Sequence, residues 1–183
     1  NATEDNSNGT VSVTTSGVED GQVVTITLNG ATYTANVSSN AATVTITASG
    51  LQALSEGSET LTADVSDVAG NAAATVTSSS FTVDTTVPTI SAIATSAFSW
   101  GSHLNATEDN SNGTVSVTTS GVEDGQVVTI TLNGATYTAN VSSNAATVTI
   151  TASGLQALSE GSETLTADVS DVAGNAAATV TSS

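Results

Sequence analysis

The side chains able to do chemistry in this chain are almost all carboxylates, and they come in close pairs. Glu4-Asp5, Glu19-Asp20, Asp64 with Asp67, and Asp84 fall between apolar runs, and Glu108-Asp109, Glu123-Asp124 and Asp168 with Asp171 repeat the arrangement. Neighbouring carboxylates repel. The 183 residues include 17 Asp and Glu, one His and no Lys or Arg, so the net charge of −17 finds no opposite charge on the side chains. The remaining remedy is a hard cation. Ca²⁺ suits it best, taking six to eight oxygens from carboxylates, amides and backbone carbonyls in loose geometry, whereas Mg²⁺ demands a tight octahedron and usually phosphate co-ligands.

Three loops supply such oxygens. Glu4-Asp5-Asn6-Ser7-Asn8-Gly9 has them at alternate positions with Gly sixth, as in an EF-hand loop. It begins with Glu, however, and has Thr15 where the bidentate Glu belongs. Asp64-Val65-Ser66-Asp67-Val68-Ala69-Gly70-Asn71 offers two carboxylates and an amide around a glycine turn, repeated with Asp168, Asp171 and Asn175. Glu19-Asp20-Gly21 is a third acidic turn. The plain alternative is that these are solvated turn residues, which is what most surface charges are.

The missing cations exclude whole classes. A chain without Lys or Arg cannot neutralise nucleic-acid phosphates, is not attracted to anionic lipid, and lacks the clamps of phosphoryl-transfer enzymes. No cysteine is present for disulfides or thiolate metal sites. No apolar run approaches the ~18–20 residues of a membrane helix. His103, alone, makes neither a metal site nor a triad, and Trp100-Gly101-Ser102-His103 reads as a packed loop. No phosphate loop, nucleophile elbow or zinc-protease motif occurs, and no aromatic platform accompanies the carboxylates for glycoside chemistry; no enzyme is expected. Runs such as Thr43-Val44-Thr45-Ile46-Thr47 leave a second reading open, direct binding of ice or a glycan through threonine-rich strand faces.

The elements that must position these groups are set by an exact repeat. Asn1–Ser79 recurs letter for letter as Asn105–Ser183, an offset of 104 residues. Solenoid repeats have periods of about 20–50 residues, so each copy is a domain, and the identity points to a longer tandem array of such neighbours. The junction is placed at Val83-Asp84-Thr85-Thr86-Val87-Pro88, which lacks Gly and Ser and holds the only proline, giving a short, stiff linker. The first domain, 1–84, then lacks the counterpart of residues 85–104, and the second, 85–183, lacks that of Ser80–Asp84.

Period-2 alternation predicts half-buried antiparallel strands with wet threonine faces. Val24, Ile26 and Leu28 alternate with threonine and asparagine, as do Tyr33, Ala35 and Val37. Val44 with Ile46, and Leu61, Ala63 and Val65, follow the same rule. Asn29-Gly30 marks a hairpin turn, Leu51–Leu54 a short helical turn, Ser78–Ser80 a bulge, and Ile90 with Ala92 a further strand. About seven strands per domain predict an all-β fold of tandem immunoglobulin-like sandwiches. In that topology the turn before the second strand and the exit of the last strand sit at the C-terminal pole, and the loop between the last two strands at the N-terminal pole. This predicts Glu19, Asp20 and Asp84 of one domain facing Asp168, Asp171 and Asn175 of the next across an ion.

The stretches Gly17–Gly30, Asp67-Val68-Ala69-Gly70-Asn71 and Phe81–Pro88 resemble the signatures of bacterial Ig-like extender domains of giant RTX adhesins, a group with ice-binding (antifreeze) members. The resemblance implies calcium-dependent rods on the bacterial cell surface that hold a terminal adhesive domain away from the cell. It implies interdomain ligands at Glu19, Asp20, Asp84, Asp168, Asp171 and Asn175. It also implies that ice or a surface ligand is bound through other domains, without direct membrane contact by these repeats.

Overall fold

The computed structural model describes residues 1–183, which form two units, Asn1–Thr85 and Thr86–Ser183. In the first unit the strands are β1 (Gly9–Thr14), β2 (Val23–Leu28), β3 (Ala31–Asn36), β4 (Ala41–Ile46), β5 (Gly57–Glu59), β6 (Leu61–Asp64), β7 (Val76–Thr77) and β8 (Phe81–Val83), with helix α1 (Ala48–Gln52) after β4. In the second they are β9 (Thr89–Ile90), β10 (Gly113–Ser120), β11 (Val127–Leu132), β12 (Ala135–Asn140), β13 (Ala145–Ile150), β14 (Leu165–Asp168) and β15 (Val180–Thr181), with α2 (Ala152–Gln156) after β13. All strand pairing is antiparallel. The second unit sets a β13-β10-β9 sheet against a β12-β11-β14-β15 sheet, and the first repeats this as β1-β4 and β3-β2-β6-β7 with a β5-β8 ribbon. These are immunoglobulin-like sandwiches.

Alternation does the folding work. Along β2 the buried Val24, Ile26 and Leu28 alternate with more exposed partners, and β4 buries Ala42, Val44 and Ile46 between exposed residues. Each of the Val, Ile and Leu side chains among these contributes about 1.5–3 kcal/mol on removal from water. Asn29 (φ 47°) and Gly30 (φ 76°) take the left-handed backbone that a two-residue turn between β2 and β3 requires. A bulge follows β7: between the Thr62–Thr77 and Glu59–Phe81 pairs, Thr60 and Leu61 lie opposite Ser78, Ser79 and Ser80.

Two local expectations are corrected. The helical turn begins at Ala48 rather than Leu51, because the Thr47 hydroxyl accepts the Gly50 N–H and caps the helix from an unpromising Ala-Ser-Gly start. After Pro88 the strand is only two residues long. Ile90 and Ile93 are buried while Ala92 is exposed, a three-residue spacing that breaks the alternation.

Candidate cation-binding loops

Strand order decides which carboxylates meet. β2 begins directly after the Glu19–Gln22 turn and β6 ends at Asp64, and the two pair with Thr25 opposite Asp64. The Glu19 turn and the loop after Asp64 therefore share one end of the same unit. Glu19 Oε2 accepts the Val68 N–H at 2.9 Å, and Glu123 Oε2 accepts that of Val172 at 2.9 Å in the second unit. Asp20 Oδ1 accepts the Ser39 N–H at 2.8 Å, closing a turn in which Ser39 (φ 53°) and Asn40 (φ 63°) are left-handed; Asp124 does the same for Ser143 at 2.7 Å.

The loop itself is closed by an aspartate–asparagine pair. Asp67 Oδ1 accepts the Asn71 backbone N–H at 2.8 Å and Asp67 Oδ2 the Asn71 side-chain amide at 2.7 Å, around Gly70 at φ 88°. Asp171 and Asn175 repeat the pair, and both are buried, whereas Asn71 is exposed. The Asn71 side-chain and backbone donors hold the Asp67 carboxyl below its ordinary value, with the Ala69 and Gly70 backbone adding to the effect and burial opposing it. At the mouth of the loop, Asp64 accepts the Thr75 hydroxyl and Asp168 that of Thr179.

The expected grouping of Glu19 and Asp20 with Asp84 is corrected by this order. Antiparallel β5–β8 pairing carries Val83 opposite Gly57, at the other end of the unit from β2's start. There the Glu56 carboxylate accepts the Thr85 N–H at 3.0 and 3.2 Å, and also the Thr85 hydroxyl. Glu56 was not among the candidate ligands. Its partner lies 29 residues away, and no local spacing announces the contact.

Glu4-Asp5-Asn6 forms a 3₁₀ turn and not an open ligand loop. Its oxygens are drawn to different partners. Asn6 Oδ1 accepts from the Gln52 side chain at 3.1 Å and Asn8 Oδ1 from the Ala48 N–H at 2.9 Å. In the second unit Glu108 accepts from the Asn105 side-chain amide at 2.7 Å and its backbone N–H at 3.1 Å. This motif, with Asp5 and Asp109 in its turn, docks the short helix.

The donor chemistry of the Glu19 and Asp67 loops is that of a hard-cation site: carboxylate, amide and carbonyl oxygens with lone pairs beyond those their N–H partners use. The geometry is sparser than the sequence suggests, since no three Asp, Glu or His side chains converge in a metal-ligating cluster. The residues of this pole that could hold such an ion are Glu19 and Asp67, and Glu123 and Asp171 in the second unit.

Fold and pairing make the chain a tandem pair of immunoglobulin-like domains, and it groups with the Ig-like repeats of large bacterial adhesins. It is similar over 100% of its length, at 30% identity and a TM-score of 0.53, to a Ca²⁺-stabilized adhesin with which an Antarctic bacterium reaches out and binds ice. It is similar over 99%, at 31% identity and a TM-score of 0.51, to a 1.5-MDa bacterial ice-binding adhesin studied for its retention at the cell surface. The chain spans about half of those structures, 44% and 57% respectively. The fibronectin(III)-like modules of Clostridium thermocellum CbhA share the fold alone, at 12% identity over 97% of the chain and a TM-score of 0.51. No protein-family model and no curated protein matches.

Proposed function

We propose that the chain is a calcium-stiffened spacer from a large adhesin exposed on a bacterial surface, holding a terminal ligand-binding domain away from the cell. The observation that carries this reading is the whole-length similarity to a Ca²⁺-stabilized adhesin in a chain that bears 17 carboxylates and no basic side chain. Calcium at the Glu19–Asp67 and Glu123–Asp171 poles cancels charge where two acidic loops are tied together. Binding only the folded state, it stabilises that state by mass action. Asp84 lies beside Thr85, whose amide and hydroxyl Glu56 grips, so the linker leaves the first unit from a held end. Ice or a surface ligand is the business of other domains.

The test is thermal unfolding together with small-angle scattering, first in millimolar calcium and then in chelator. A higher melting temperature and a longer maximum dimension in calcium support the spacer. No change in either leaves the carboxylates as solvated turn residues.

A further inference from the structure

All 17 carboxylates lie off one flank of each sandwich. From Gly21 to Ser55, and again from Gly125 to Ser159, no side chain is charged. These stretches hold β2, β3, β4 and α1 in the first unit and β11, β12, β13 and α2 in the second. β3 and β12 are the outer strands of their four-stranded sheets.

Hydrogen bonding fixes which way the β3 backbone faces. The Leu28–Ala31 pair closes the two-residue Asn29-Gly30 turn, so Ala31, Tyr33 and Ala35 direct their N–H and C=O groups at β2. Val37 continues that phase, its N–H donating to the Gln22 carbonyl at 2.8 Å. The N–H and C=O groups of Thr32 and Thr34 therefore point away from the sheet, and both side chains are exposed. Ser38 exchanges its own outward bonds with Ala41 at 2.8 and 3.1 Å, so Thr32 and Thr34 form the part of the edge clear of that turn. Thr136 and Thr138 repeat the arrangement in the second unit, where the Val141 N–H donates to Gln126 at 2.7 Å. Folded proteins ordinarily blunt such an edge with lysine, proline, an inward charge or a bulge. Ala31–Asn36 and Ala135–Asn140 have none of these, and run in unbroken register with β2 and β11.

We propose that this edge is an interaction surface for a second copy of the chain, joined by antiparallel strand pairing about a two-fold axis. Thr32 and Thr34 of one copy pair with Thr34 and Thr32 of the other, so each outward N–H meets a carbonyl. Charge selects both the place and the partner. Two chains of net charge −17 repel wherever their carboxylates meet, and like charges directly opposite destabilise a strand pair. The edge offers an unrelated partner no charge to recognise. A second copy it matches in length, alternation and neutrality. The inference stands apart from the calcium reading, since added salt screens the same repulsion.

Sedimentation velocity of the whole chain tests this over about 0.01–1 mM, where weak association is read, in about 0.5 M sodium chloride, which screens charges beyond a few ångströms. The weight-average mass should rise from 17.8 kDa toward twice that value. At the upper concentration, amide exchange at Thr32, Thr34, Thr136 and Thr138 should slow about twofold or more. Thr34→Pro with Thr138→Pro removes outward donors that β2 and β11 do not use, a position where an edge strand accepts proline. That variant should keep the monomer mass. A second variant, Thr32→Glu and Thr34→Glu with Thr136→Glu and Thr138→Glu, leaves every backbone donor in place and sets like charges opposite one another. It too should keep the monomer mass, and it decides the matter if proline lowers the melting temperature. The proposal is overturned if the unaltered chain stays monomeric at about 1 mM, or if either variant, folded, associates as that chain does. It is equally overturned if association leaves the four threonine amides unprotected.

Discussion

Glu19 Oε2 reaches across 49 residues of sequence to accept the Val68 N–H at 2.9 Å, and Glu123 makes the same bond to Val172. This bond fastens the turn before β2 to the loop after β6, so two acidic loops distant in sequence share one pole of one sandwich. Both units build it independently, with different burial around them, which makes it a property of the repeat and not of its setting.

Removing the charge at that pole separates calcium binding from folding. In Glu123→Gln an amide oxygen still accepts from Val172, so the melting temperature in chelator should fall little, by less than about 1 kcal/mol of stability for an exposed contact. In calcium the gap should be wide. An ion present at about 100 times its dissociation constant stabilises by about 2.7 kcal/mol, and each kcal/mol moves a domain of this size by about 4–8 °C. Calorimetry in calcium and in chelator should show that increment for the second unit cut by half or more in the variant. An undiminished increment would remove Glu123 from the ligand set.

The Asp67 carboxyl gives a pH signature. Its folded value lies below the ordinary 3.8, chiefly through the Asn71 side-chain amide. A depressed folded value contributes stability that is present above the unfolded value and lost as pH falls through the folded one. The acid limb of the stability curve should therefore include Asp67 below about pH 4, and Asn71→Ala should return its titration toward the ordinary carboxylate range. Carbon-detected NMR titration of the side-chain carboxyl checks this directly.

Identical residues in unlike surroundings measure what the Thr86–Leu104 segment contributes. Leu155 is 2% exposed, whereas its counterpart Leu51 is only half-buried. Leu155→Ala should cost about 2–5 kcal/mol by lost transfer energy and the cavity left behind. Leu51→Ala should cost less than half as much, because its site already borders water. Denaturant unfolding of the two variants makes the comparison, and equal costs would contradict the difference in packing.

Much of this fold is legible in the sequence because its signals are local. The alternation Val24-Ile26-Leu28 and the Asn29-Gly30 turn each reside in a few consecutive residues, and the repeat is visible by inspection. The poles are not local. Which loops meet depends on the order β3-β2-β6-β7, fixed by pairing between segments about 40 residues apart, so a general sandwich template put Glu19 at the wrong end. The 3₁₀ turn at Glu4–Asn6 escaped notice for a related reason. Asn6 and Asn8 read as ligands in sequence, and only the packed structure shows them bonded to Gln52 and Ala48, 46 and 40 residues away.

Glu56 is the residue whose removal should loosen the linker without touching the sandwich core. Its two oxygens hold the Thr85 amide at 3.0 and 3.2 Å, and Thr85 follows Asp84 at the end of the first unit. Proline at position 88 and β-branched Thr85, Thr86 and Val87 limit backbone rotation, but they fix no direction. The Glu56 bonds anchor the point from which the stiff segment departs. A charge-assisted bond of this kind is worth about 1.5–3 kcal/mol when shielded, and nearer 1 kcal/mol at an exposed site such as this one. Glu56→Ala should therefore speed amide exchange at Thr85 about fivefold while β2, β4 and β6 keep their protection, and hydrogen exchange resolved by residue reads both. If Thr85 exchanges at its original rate in the variant, the linker is held by its own stiffness and Glu56 is incidental to it.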